Sequence, residues 1–155
     1  MVEKYNFVKE TSMVYRCIFF GIKELVSPIV YNQWGEQAWM FFDEDVLQDL
    51  DTIRETYGKA IIINNWKSNL TQCGLRSNLD PLVKGKNTLY LSTHIRGTGF
   101  DLHCAHGHNS KLWSHVYNLI TTGKLKKING LEDYSKTNGW VHVQYANTNG
   151  KIYIF

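Results

Sequence analysis

Apolar positions along the chain switch between helical and strand periods, and each switch marks an element. Val46, Leu47, Leu50, Ile53 and Tyr57 recur at helical spacing. Asp43 stands ahead of them as an N-cap, Glu44 and Asp45 suit the positive end of the helix dipole, and Gly58 stops the run. A second helical stripe, Leu112, Val116, Leu119 and Ile120, starts from Ser110 as cap and closes at Gly123. Residues 22–32 predict a short helix interrupted at Pro28. Residues 38–42 and 89–91 look extended, as do 60–64 and 100–104. Over 140–146 the alternation is strict: Val141, Val143 and Tyr145 face one way, and Trp140, His142, Gln144 and Ala146 the other. Asn147-Thr148-Asn149-Gly150 is a turn, with 151–155 as a returning strand. Residues 67–88 are loop-rich and are expected to carry part of a groove.

Helices that precede and flank mostly antiparallel strands predict an α+β fold. No repeat, low-complexity stretch or linker divides residues 1–155, so a single domain is expected, large enough for a real core. Five Trp, nine Tyr and seven Phe exceed what a core usually takes. Either some line a groove, or the chain simply has a Tyr- and Asn-rich composition. The net charge of +3 is too mild to argue for nucleic acid. The basic cluster Lys124-Leu125-Lys126-Lys127 is expected to be a solvated helix end. Cys17, Cys73 and Cys104 are an odd count without paired spacing, so no disulfide framework is expected, and a reducing compartment suits the chain during synthesis. Met1 to Asn6 contain no apolar signal-peptide core, and the apolar run at 17–20 is too short to span a membrane. A monomer synthesised in the cytoplasm without a signal peptide, and not bound to membrane, is the expectation.

The chemistry concentrates in Ser92-Thr93-His94-Ile95-Arg96-Gly97-Thr98-Gly99-Phe100-Asp101 and in Trp140-Val141-His142. His94, Asp101 and His142 are three ligands of the kind that leave a fourth position open on a catalytic zinc; a structural zinc is normally closed by four. Gly97 and Gly99 argue for a turn between extended pieces, unlike the single helix of HExxH proteases. The Cys104-Ala105-His106-Gly107-His108 run, with His103 before it, invites a second zinc. No C-x-x-C partner exists, so that site is not expected. His103 shares a strand face with Asp101 and is expected beside the first site.

These motifs resemble the zinc D-Ala-D-Ala carboxypeptidase family of peptidoglycan peptidases, whose signature is S-x-H-x-x-G-x-A-x-D followed by W-x-H. The match runs through Ser92, His94, Gly97, Asp101, Trp140 and His142, with Gly99 where alanine is usual. Phage-type members are also similar at Ile63-Asn64-Asn65-Trp66 and Cys73-Gly74-Leu75-Arg76. The resemblance implies a small antiparallel sheet with helices on one face and a metal-site groove on the other, as in hedgehog and D-Ala-D-Ala peptidase domains. It implies Zn2+ and a peptidoglycan stem peptide as substrate, cut by a carboxypeptidase or endopeptidase that is either a phage endolysin or a bacterial remodelling enzyme. The lack of a signal peptide and of a wall-binding module favours the endolysin, which would reach the wall after release. The glutamate that many members carry three residues before the last histidine is replaced by Gly139. The pair Glu132-Asp133 is then the candidate catalytic base, with Glu132 favoured for its reach. Arg76 is expected to clamp a substrate carboxylate or carbonyl from an exposed loop, Ser92 to contact substrate or orient His94, and Trp140 to wall the groove. Trp66 suits either groove or core. Hedgehog domains share such a metal site and act as ligands, so a non-catalytic binding module or a virion structural component is the competing expectation.

Overall fold

The computed structural model describes residues 14–137 and 139–155; the N-terminal residues inspected for a signal peptide lie outside them. The elements are α1 (Ile22–Leu25), α2 (Pro28–Trp34), a 3-10 stretch (Gly35–Phe41), α3 (Glu44–Tyr57), β1 (Ile61–Ile62), β2 (Gly99–Cys104), α4 (Asn109–Thr121), β3 (Gly130–Leu131), α5 (Tyr134–Thr137), β4 (Val141–Gln144) and β5 (Tyr153–Ile154). The class is α+β, with an open five-stranded sheet in the order β1-β2-β4-β3-β5. All neighbouring strands are antiparallel except β3 and β5, which run parallel.

Local chemistry accounts for most helix ends. Asp43 Oδ1 accepts from the backbone N–H groups of Asp45 and Val46, and Gly58 closes α3 in the left-handed region. Ser27 caps α2, whose first residue is Pro28, where a missing N–H costs nothing. In α4 the stripe Leu112, Val116, Leu119 and Ile120 is buried. Its N-cap position is His108 rather than Ser110, two residues earlier than expected.

Four other expectations fail in whole or in part. Residues 38–41 belong to the 3-10 stretch rather than a strand, and only Phe42, just past its end, is extended; a continuous apolar run carries no period that separates the two. Residues 89–91 form no strand, and Leu89 and Leu91 are exposed, because no partner strand lies beside them. The strand after the 147–150 turn does not return along β4 but pairs with β3. The lysine cluster is solvated at Lys124 and Lys126, as expected, but it lies past the end of α4 and is not a free helix end. Asp49, buried on α3, accepts the backbone N–H groups of Lys126, Lys127 and Ile128, while Lys127 pairs with Asp43. Burial raises the Asp49 carboxyl above its ordinary range despite these three donors.

The core lies between the sheet and α3 and α4. Phe100, Leu102, Leu131, Val141 and Val143 are fully buried there with Leu47, Leu50, Leu112 and Val116. Because strand side chains alternate, the residues between them, Asp101, His142 and Gln144, emerge on the other face. Cys17, Cys73 and Cys104 are free thiols.

Candidate metal centre

The β2–β4 register sets Asp101 directly opposite His142, which brings the two side chains together on one face. His94 arrives from the turn before β2. That turn depends on two glycines. Gly97 has φ +69, and a Cβ on it would lie 2.6 Å from the Phe41 carbonyl oxygen. At Gly99 a Cβ would lie 2.1 Å from Thr93 Oγ1, so the alanine usual in the resembling family would displace Thr93 here. Ser92 Oγ accepts from the His94 backbone N–H at 3.2 Å, which is an orienting contact.

His94, Asp101 and His142 are all buried, and one ligand atom from each lies within 4.8 Å of the others. The group could therefore hold a metal ion. His142 Nδ1 stands 2.7 Å from Asp101 Oδ1, and His94 Nε2 stands 3.4 Å from Asp101 Oδ2. Ligands of one tetrahedral zinc are separated by about 3.3 Å, so the second spacing suits coordination and the first needs slight opening. Burial would raise the Asp101 carboxyl, but hydrogen bonds and charge from His142 and His94 hold it well below the usual carboxylate range. Burial would likewise lower His142, but Asp101 raises it above the ordinary histidine value.

The outer contacts decide which ring nitrogens are free. His94 Nδ1 lies 2.9 Å from the Gly74 carbonyl, and His142 Nε2 lies 3.0 Å from Gln144 Oε1. Each of those nitrogens donates an N–H, so Nε2 of His94 and Nδ1 of His142 are the atoms that face Asp101, and they would offer lone pairs to a metal once their hydrogen bonds to that carboxylate are given up with the proton. Gln144 is itself fixed, accepting from Thr93 Oγ1 at 2.9 Å and donating to the Tyr153 hydroxyl. Gln144→Leu should therefore weaken metal affinity by about 10–100-fold, the usual cost of losing such an outer contact. Gln144→Glu, which keeps an acceptor, should lose less. Competition with a chromogenic chelator measures both; equal affinities would remove Gln144 from the site.

Arg76 is 9% exposed, so the expected exposed loop is overturned. Its Nε donates to the Gln72 carbonyl, one terminal nitrogen lies 3.3 Å from Asp101 Oδ2, and the other lies 3.5 Å from the Tyr90 hydroxyl. Asn64 holds this segment in place: it donates to the Val26 carbonyl at 2.9 Å and accepts from the Cys73 N–H at 2.8 Å. Arg76, Asp101, His103 and Trp140 line one cavity of about 310 Å³, and Trp140 is 38% exposed. A separate cleft of about 420 Å³, near Lys126 and Thr148, contains none of the expected site residues.

Glu132 and Asp133 part company. The Glu132 N–H donates to the His142 carbonyl at 3.0 Å, one step beyond the Leu131–Val143 pair. Alternation turns Glu132 away from the core side of Leu131 and towards the His142 side, where its charge reaches the imidazole. Trp113 Nε1 donates to the Glu132 carbonyl at 2.8 Å. Asp133 is exposed, and its Oδ1 accepts from Ser135 N and Oγ at the start of α5. A Cβ at Gly139 would meet nothing within 4 Å, so packing does not forbid a glutamate there. His106 and His108 are exposed and Cys104 joins the core, so the His103–His108 cluster does not assemble. Trp66 is half-buried near Tyr31 and lines neither the cavity nor the metal group.

Gln144, Gln72, Tyr90, Trp113 and Asn64 are positioning residues that sequence motifs did not single out for these roles. Only Gln144 left a signal, through its shared strand face with His142. No protein-family profile, no curated protein and no solved structure matches the chain.

Proposed function

We propose that this protein is a zinc-dependent peptidase that hydrolyses an amide bond in the peptide stem of peptidoglycan, as a D-Ala-D-Ala carboxypeptidase or endopeptidase with an endolysin-like role. The observation that carries the reading is the buried convergence of His94, Asp101 and His142 beside an open cavity. Two imidazoles and one carboxylate suit zinc and leave coordination positions for water and substrate. The bound ion would polarise a carbonyl and acidify water. Glu132, across from His142, takes the proton of the attacking water and returns it to the leaving amine. Arg76 holds a substrate carboxylate or the scissile carbonyl at the cavity edge, where a fixed guanidinium acts through two donors. Trp140 and Ser92 complete the substrate side, the first as wall and the second through its hold on His94. Asp133, engaged in capping α5, is the weaker candidate for base.

The hedgehog and D-Ala-D-Ala peptidase-like arrangement belongs to the same proposal. It is supported by the mostly antiparallel sheet with its core on the helix side. Among the described residues, no helix is long and apolar enough to cross a membrane.

Arg76→Lys separates clamp from scaffold. Lysine cannot reproduce the contacts to Gln72, Tyr90 and Asp101 at once. The variant should lose a few kcal/mol of transition-state stabilisation, seen in kcat/KM. Because Arg76 is buried, it should also lose about 1–3 kcal/mol of stability, seen as a lower Tm of metal-free protein. A lower Tm with unchanged kcat/KM would make Arg76 purely structural.

The reading as a whole is tested by incubating pure protein with defined muropeptides, with and without chelator, and resolving products by mass spectrometry. Chelator-sensitive cleavage of one stem bond is the expected result. Metal-loaded protein that binds muropeptides without cleaving them would instead make it a binding module.

A further inference from the structure

A thiol and an imidazole face each other beside the three converging side chains. Cys73 Sγ lies 3.6 Å from His103 Nε2, and both line the 310 Å³ cavity with Asp101 and Trp140. A thiolate at about 2.3 Å and an imidazole at about 2.05 Å from one tetrahedral zinc stand about 3.6 Å apart, so the pair already has coordination spacing. Cys73 is held from both sides: its N–H donates to Asn64 Oδ1 at 2.8 Å, and its carbonyl accepts from the Asp101 N–H at 2.8 Å. Asp101 lines the same cavity and its charge reaches both side chains, with the Arg76 charge opposing it at Cys73.

We propose that Cys73 and His103 form a second, thiophilic metal site, for Cd2+ or excess Zn2+, adjoining the first across Asp101. Sulfur and imidazole are the ligand pair that selects such ions, and the cavity leaves room for water at the remaining positions. On binding, a sulfur–metal bond forms and the thiol proton passes to solvent. The ion then occupies the groove between Arg76 and Trp140 and obstructs whatever the groove takes. This site does not depend on the protein being a peptidase.

Cd2+ titration of the metal-free protein, followed by thiolate-to-Cd2+ charge-transfer absorption in the ultraviolet, tests it. The His94–Asp101–His142 group contains no sulfur and is silent in that signal. Wild type and Cys17→Ser should show one saturable band, Cys73→Ser none, and His103→Ala should need more Cd2+. His103→Asn serves where the alanine variant does not fold. Equilibrium dialysis with excess Zn2+ should count two ions per chain in wild type and one in Cys73→Ser. Counts of one and none would fault the first site and leave this one standing. A band that survives Cys73→Ser, or that is indifferent to both His103 variants, overturns the proposal.

Discussion

Glu132→Gln will keep the metal and cut turnover by about 10²–10⁴, the usual contribution of a positioned proton acceptor. Glutamine matches the side chain in size, so the anchors of this residue, its N–H to the His142 carbonyl and its carbonyl to Trp113, should survive. What disappears is the carboxylate on the His142 side of β3. Asp133→Asn should cost little turnover, because that side chain is occupied at the start of α5 by Ser135. Metal content and kcat on a muropeptide, measured on both variants, decide the matter. A crippled Asp133→Asn beside an active Glu132→Gln would reverse the assignment. Loss of metal from Glu132→Gln would make Glu132 part of the metal site rather than the base.

Replacing His94 and His142 together by alanine should abolish metal binding at this group and all hydrolysis. Wild type should hold about one zinc there, in line with three convergent ligands. The double variant leaves Asp101 with Arg76 as its close partner, an ion pair with no lone-pair nitrogen to offer. Thermal melting adds an independent readout. An ion bound only by the folded state raises stability by several kcal/mol when it greatly exceeds its Kd. Chelator should therefore lower the Tm of wild type and leave the double variant unmoved. To avoid counting metal at Cys73 and His103, the measurement belongs in the Cys73→Ser background. Zinc retained by the histidine variant in that background would refute the ligand set.

The sequence by itself determined the helices with clear periods and caps, the strands around Asp101 and His142, and the three residues that could hold a metal. Those signals are local: Asp43 and Gly58 bracket one apolar stripe, and alternation over 141–144 sorts core from groove whatever the partner strand. The glycines at 97 and 99 announced a turn, although only its neighbours, Phe41 and Thr93, show why no larger residue fits. Tertiary structure alone decided the rest. Burial of Arg76 comes from Gln72, Tyr90 and Asp101, scattered over some thirty positions, so its loop-like sequence concealed it. The separation of Glu132 from Asp133 needed the β3–β4 register, which carries the Glu132 N–H to the His142 carbonyl, and the start of α5, where Ser135 engages the Asp133 carboxylate. Residues 89–91 have strand-like composition without a strand beside them, and β5 chose β3 over β4. A strand exists only where another edge supplies its hydrogen bonds, and that choice is made by the folded chain as a whole.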